Sequence, residues 1–525
     1  MKHLLLFSFI LFICTTSCKK HQNNVEEIIS EYTANTRVPS FNGYFLYGSN
    51  MGWLNHNWQD EDVADLLIGN KSKDWEGVGV NSLRPALYEN FVETWGYDVR
   101  VHTFKYYFNQ GSKYNVVFIG DWPCDLHREK KQYVSGVRSE SYENLYEPVW
   151  IETENGKKVN ENNYYAMYVY QLVQRYKNWV KFWEIKNEPD FTASQCGWTA
   201  PGTACNWWDR DPSPDELYNF HAPVQSYIRM LRVSYEVIKS VDPEAYICVG
   251  GIGYASFLDA ILRNTDNPDN GKITERYPFT GGAWFDCLSF HIYPMYYVSS
   301  GFRHSDAVVA SVENQTAAHI ELLKKYGYGG EFPAKEIIIT ETNIPSKQIG
   351  NSIGSEEAQR NYLMKVAIIG QKLNIRGIYP FGVWDNKEEN EYGGEYDFMG
   401  FYRPLPNSPS DAQLRLHESG VGWRTTSRLL KERRYDANET QRLNLTSDMN
   451  GAAFYSETAQ DYMYVLWAKT TSDLNEKASA SYFFPVSMDV KEMTIFDWTE
   501  KQYLMSGNTV NLNETPLFIK VIKAK

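Results

Sequence analysis

Between residues 44 and 381 the sequence repeats one pattern eight times: a short apolar run, a polar loop, then a stretch with helical spacing. The runs cover 44–47, 82–87, 116–119, 180–185, 246–249, 287–292, 337–340 and 375–381. Strands without polar alternation are buried on both faces, and when helices separate them they build a parallel sheet. Eight such units are the number that closes into a (β/α)8 TIM barrel, so the class expected is α/β. Two helices are easily read, 164–179 and 214–241; Ser213 is placed to cap the second, with Pro214 in its first turn.

The expected barrel, residues 40–435, is roughly 390 residues long where roughly 250 is typical. The excess lies in loops 121–160, 189–212 and 386–412, all of which follow strands and so should rise from the C-terminal rim. After a closing helix at 423–434 the texture changes. Runs at 452–455, 462–467, 482–486, 493–498 and 517–522, divided by turn residues, predict a C-terminal antiparallel β-sandwich over 436–525.

The N-terminus opens Met1-Lys2-His3, continues with an apolar stretch over 4–13 that is too short to span a bilayer, and reaches Thr15-Thr16-Ser17-Cys18. This is the form of a signal peptide, residues 1–17. It resembles a bacterial lipobox, with Thr15 where Leu is common, in which Cys18 becomes the lipidated first residue; the alternative is an ordinary cleaved signal with an incidental Cys18. Residues 18–39 are polar and are expected to form a tether. No later stretch is long and apolar enough for a membrane helix, so the expected attachment to the cell envelope is by lipid alone.

With 65 acidic and 52 basic residues, a net charge of -13 and no basic run after the first twenty residues, nucleic acid is not an expected partner. Cys196 and Cys205 lie in one Gly/Pro/Thr-rich loop and are expected to form a disulfide; Cys248 and Cys287 sit in apolar runs and read as buried thiols. The segment 350–354 fits Gly-x-Ser-x-Gly, but Pro345-Ser346-Lys347-Gln348 before it is no strand, so it is read as a loop. Phosphate-loop, dinucleotide and His-Glu-x-x-His patterns are absent, and neither a metal nor an organic cofactor is expected. The chain is expected to be a monomer.

The chemistry-bearing signal is Trp183-Glu184-Ile185-Lys186-Asn187-Glu188-Pro189 at the end of the fourth run, together with Thr340-Glu341-Thr342-Asn343 at the end of the seventh. Carboxylates at the tips of barrel strands are catalytic by position, and cleavage of a glycosidic bond needs two of them. The chain here resembles glycoside hydrolase clan A, whose Asn-Glu-Pro acid/base and strand-seven glutamate nucleophile match Glu188 and Glu341. The resemblance covers roughly residues 40–432 and implies a retaining β-glycosidase. It further implies substrate-site roles for Asn187, for Arg84 at the end of the second run, for His291 and Tyr293 at the end of the sixth and for Trp384 after the eighth. Lys186 stands where such enzymes often carry an aromatic. Taken singly, Arg84, His291 and Trp384 each have a structural alternative, as ion-pair, core and packing residues; their joint occurrence favours a site. Glu184 shares strand parity with Glu188 but lies about 13 Å deeper, and it is read as an interior carboxylate paired with Lys186.

Aromatics make up 15% of the chain. Trp53, Trp58, Trp122, Trp198, Trp207, Trp208, Tyr296 and Tyr297 all fall in segments expected on the rim, where flat rings suit the faces of sugars. A polysaccharide is therefore the expected substrate. The segment 48–53 and the run 164–183 are similar to bacterial endo-β-1,3-glucanases of glycoside hydrolase family 157. A β-xylan- or agar-type enzyme is the alternative, and a non-catalytic surface glycan-binding lipoprotein the competing class.

Overall fold

The computed structural model describes residues 33–51, 59–405 and 415–523. In chain order the first strands are β1 (Leu46–Asn50), β2 (Ser82–Arg84), β3 (Asn115–Ile119), a hairpin β4 (Trp150–Thr153) and β5 (Gly156–Val159), then β6 (Val180–Ile185), β7 (Tyr246–Cys248), β8 (Cys287–Ile292), β9 (Glu336–Thr342) and β10 (Gly377–Pro380). The hairpin apart, they form one eight-stranded sheet in the order β2-β1-β10-β9-β8-β7-β6-β3, parallel throughout. The sheet closes where Ala86 bridges Phe118 and the Leu87 N–H donates to the Phe118 carbonyl at 3.2 Å. This is the expected barrel. Around it and after it run α1 (Asp60–Ile68), α2 (Glu89–Trp95), α3 (Val101–Gln110), α4 (Tyr164–Tyr176), α5 (Val224–Val241), α6 (Ala255–Arg263), α7 (Ser305–Lys325), α8 (Glu356–Lys372), α9 (Glu418–Leu429) and α10 (Ala437–Arg442). None is long and apolar enough to cross a membrane.

The floor of the barrel is apolar. Leu46, Val116, Phe182, Tyr246, Cys248, Cys287, Ile338 and Tyr379 form one buried cluster inside the strands. The next level up is polar, holding Arg84, Glu184, Ser289 and Thr340, all buried. Side chains two apart on a strand point to the same face, so Phe182 and Glu184 of β6, and Cys287 and Ser289 of β8, stand one level apart.

Four boundaries differ from expectation. The helix expected from Pro214 begins at Val224, because His221 sits at φ 48° and Pro223 precedes the first turn; Ser213 instead gives its N–H and hydroxyl to Glu216, at 2.9 and 2.8 Å. The closing helix is α9, and Arg434 already belongs to a strand. Residues 33–39, assigned to the tether, pack under the barrel: Ala34 is buried, donates to the Ala283 carbonyl at 2.9 Å and accepts from Lys335. The end of the loop 121–160 leaves the rim, since the β4–β5 hairpin lies against α4 and α5, with Trp150 donating to Glu236 at 3.1 Å. Cys18, Trp53 and Trp58 lie outside the described residues.

The C-terminal part is β-rich. Strands β11 (Arg434–Asp436), β12 (Met449–Ser456), β13 (Asp461–Ala468), β14 (Ser479–Phe483), β15 (Val490–Phe496), β16 (Gln502–Ser506), β17 (Thr509–Asn513) and β18 (Leu517–Lys523) pair as an antiparallel six-stranded sheet, β11-β12-β13-β18-β15-β16, and a two-stranded one, β14-β17. Tyr482, Val510 and Leu512 of the small sheet share a core with Tyr464, Met493 and Ile519 of the large one. Polar contacts join this part to the barrel helices: Trp467 donates to Asp306 at 2.9 Å, and Arg303 pairs with Asp473 at 2.6 Å.

Candidate active site

Glu341 is brought inward by an irregularity in β9. His291 of β8 pairs with Glu341 while Phe290 pairs with Ile339, and on the other side Pro380 pairs with Thr342 while Ile378 pairs with Ile339. One extra residue is thus accommodated at Thr340–Glu341, a β-bulge, which lets two consecutive side chains face the barrel interior. Thr340 donates to Glu184 at 2.7 Å, and Glu341 meets Arg84 at 2.7 Å.

Glu188 is held by a different device. Past the end of β6 the backbone turns left-handed twice, at Lys186 (φ 66°) and Glu188 (φ 48°), a conformation that costs free energy for residues with a Cβ. Hydrogen bonds on each side hold it. The Lys186 N–H donates to Ile119, and the Glu188 N–H donates to Gly250, both at 2.7 Å. Gly250 must be glycine, since a Cβ there would meet the Ile185 carbonyl at 2.4 Å. The Lys186 ammonium is buried and reaches the Gly120 carbonyl and the Asp121 carboxylate, both at 3.1 Å, so it staples the β3 loop to the turn that carries Glu188. The pairing of Lys186 with Glu184 expected from sequence is therefore corrected. Glu184 takes Arg84 instead, at 2.7 Å, and accepts from Ser289 at 2.6 Å and from Thr340.

These supports bring the two glutamates together. Oxygens of Glu188 and Glu341 and a ring nitrogen of His291 all lie within 4.8 Å of one another. His291 Nδ1 is 2.8 Å from Glu188 and 3.6 Å from Glu341. The Tyr293 hydroxyl donates to the second oxygen of Glu341 at 2.6 Å, and Arg84 Nη2 donates to the Asn187 side-chain oxygen, also at 2.6 Å. Asn187 thereby keeps its amide N–H groups for a ligand. Arg84 is the hub: Asn50, Glu184, Asn187 and Glu341 all accept from it. Burial opposes its charge, but the Glu184 and Glu341 carboxylates outweigh that and hold its pKa above the ordinary value. Burial likewise opposes charge on His291; Glu341 and then Glu188 win, and its pKa lies above the usual imidazole value. Tyr293 is pushed well up, by burial and by Glu341, so its hydroxyl stays a donor. The side chain of Glu188 is 26% exposed and that of Glu341 10%, so both open to the mouth.

The aromatic residues divide. Trp122 is exposed and lies against Tyr88, centroids 4.4 Å apart. Trp198, Tyr296 and Tyr297 line one cavity. Trp384 is half-buried at the edge of the core after β10. Trp207, expected to bind substrate, is corrected to a packing residue: it is fully buried against Tyr254 and Phe257. Cys196 and Cys205 are bonded to each other, bracing the loop that follows Glu188. Cys248 and Cys287 are buried free thiols. Glu89, Cys124 and His127 form a second cluster of possible ligand atoms, in which Glu89 accepts from the Cys124 N–H at 2.9 Å and contacts His127 Nδ1 at 2.8 Å. The cluster joins the β2 and β3 loops. Tyr88, Tyr254 and Tyr396 stand around the glutamates without having been singled out in sequence, and no motif flags them; Tyr396 packs on Tyr293 at 4.8 Å, while Asn50, within the segment 48–53, joins the site through Arg84.

No protein-family model matches the chain, and no curated protein matches it. Solved structures similar to it include a glucosidase from Croceicoccus marinus (12% identity, 94% of this chain and 98% of that one, TM-score 0.49). An endo-β-1,6-glucanase (11%, 92% of each chain, TM-score 0.45) and a family 44 xyloglucanase from Paenibacillus polymyxa (11%, 94% and 98%, TM-score 0.46) are also similar.

Proposed function

We propose that the protein is a retaining glycoside hydrolase of β-linked polysaccharide, with Glu341 as nucleophile and Glu188 as general acid/base. The observation that carries this is the glutamate pair whose oxygens come within 4.8 Å at the barrel mouth. Carboxyls about 5 to 5.5 Å apart suit direct attack, whereas an inverting enzyme needs about 6.5 to 9.5 Å to admit a water; the 4.8 Å bound applies to one oxygen of each glutamate and supports the closer arrangement. Glu341 attacks the anomeric carbon while Glu188 protonates the glycosidic oxygen, and that C–O bond breaks to release the leaving group as an alcohol. Glu188, now a carboxylate, takes a proton from water; the water oxygen displaces Glu341 from the anomeric carbon, and configuration is retained. His291 Nδ1 can donate to Glu188 as carboxylate or accept from it as acid, so one contact serves both halves of the cycle. Arg84 and Tyr293 fix both oxygens of Glu341, and Asn187 offers its amide to a sugar hydroxyl.

Within this class the reading adopted is an endo-β-1,3-glucanase. It is supported by the likeness of residues 48–53 and 164–183 to family 157 and by exposed aromatic rings, Trp122, Trp198 and Tyr296, on the loops after β3, β6 and β8. Attachment to the envelope through a lipid on Cys18 is part of the proposal; replacing Cys18 by Ala should release the protein from the membrane fraction. Incubation with laminarin, xylan and agarose tests the substrate, and proton NMR of the first anomer released tests the stereochemistry. An initial product of inverted configuration would overturn the mechanism, and release from xylan or agarose alone would overturn the choice of glucan.

A further inference from the structure

Gln195, Trp198, Thr199, Tyr296 and Tyr297 line an open cavity of about 650 Å³. That is the size range of small-ligand sites. Its walls come from two loops that also carry the site. Trp198 lies ten residues beyond Glu188 on the loop braced by Cys196–Cys205, and Tyr296 and Tyr297 lie three and four residues past Tyr293. Trp198 stands edge-on to Tyr254 at 4.8 Å and to Tyr297 at 5.2 Å. The Tyr254 N–H is tied at 3.0 Å to the carboxylate of Asp190, two residues past Glu188. The wall is therefore linked to the acid/base by packing and by a hydrogen bond. Even so, Trp198 and Tyr296 each remain 54% exposed. Aromatic area held in place and left open to solvent is what a sugar face stacks on.

We propose that this cavity is the leaving-group subsite, holding the sugar on the departing side of the scissile bond; the proposal rests on the glycosidase reading above. A general acid protonates the oxygen that departs, so the departing sugar lies on the acid's side, and this cavity is built on the acid's own loop.

The test compares two substrates. Laminarihexaose places sugar rings in the cavity; β-laminaribiosyl fluoride has a leaving group with no ring. Trp198→Ala should lower kcat/KM on the hexaose about tenfold or more and change it less than twofold on the fluoride, and Tyr296→Ala should shift in the same direction. An equal fall on both substrates, or no fall on either, overturns the subsite while leaving the hydrolase reading intact. If the wild type prefers xylan or agarose, the same comparison is made with that glycan's hexaose and glycosyl fluoride. A wild type inactive on every substrate overturns the hydrolase reading, and the subsite with it.

Discussion

The lower and upper levels of the barrel interior are built by the same strands and solve opposite problems. Below, Phe182, Tyr246, Ile338 and Tyr379 with their neighbours fill space with apolar surface. Above, Arg84 and Glu184 are equally buried yet charged, and every polar atom that Arg84 faces belongs to a residue of the site. The lower level stabilises the fold through burial, while the upper one uses a low-dielectric floor to strengthen fixed charges that open only toward the mouth. Substitutions below should therefore cost stability alone, whereas those above should cost activity, with or without stability.

Glu341→Gln should test this most severely. Activity should fall on the order of 10⁴-fold or more, with little change in melting temperature; a variant within tenfold of wild type would remove Glu341 as nucleophile. Glu188→Ala should lose about 10² to 10⁴-fold on polysaccharide but keep activity on a substrate with a good leaving group, and added azide should yield the β-glycosyl azide. An α-azide, or no difference between leaving groups, would contradict its role. Arg84→Met strands two carboxylates and should cost about 3 to 5 kcal/mol in denaturant unfolding. Adding Glu184→Gln should recover part of that stability without recovering turnover. At the lower level, Phe182→Ala should also cost about 3 to 5 kcal/mol while leaving kcat of the folded enzyme unchanged, and a large fall in kcat would break the separation.

The smallest effect lies at the rim. His417 bonds Asp385 at 2.9 Å and Glu356 at 2.6 Å, tying the loop after β10 to α8. Burial opposes its charge, but the two carboxylates raise its pKa to about 9 from 6.5. Glu356 is correspondingly held below its usual range by His417, although burial of Glu356 opposes this, whereas burial pushes Asp385 up despite the contact, so the firmer ion pair is with Glu356. A raised folded-state pKa means stability that is full below about pH 6.5 and lost as pH rises through 9. The wild type should thus lose up to about 3 kcal/mol relative to His417→Gln across that window, and parallel pH profiles for the two would refute the clamp.

Apolar periodicity announced all eight strands, because a strand buried on both faces cannot hide its composition, and the two strand-tip glutamates were visible because barrel chemistry occurs at strand ends. Register was not visible. The bulge that turns Glu341 inward depends on how β8 and β10 pair with β9, and nothing in Ile337-Ile338-Ile339-Thr340-Glu341 reveals an extra residue. Lys186 and Glu184 looked like partners because they are two apart on one strand; the left-handed turn at Lys186 sends its side chain to Asp121 instead. Trp207 looked like rim because it follows a strand, but the loop folds back and buries it.

The order of residues therefore decided the class of fold and the identity of the two acidic side chains, since hydrophobic period and strand-end position are local properties. Packing decided which aromatic rings face solvent, which cation meets which carboxylate, and how near the glutamates come. Those outcomes depend on contacts between segments far apart in the chain, such as Asn50 with Thr340, 290 residues on, and such contacts exist only once the barrel has closed.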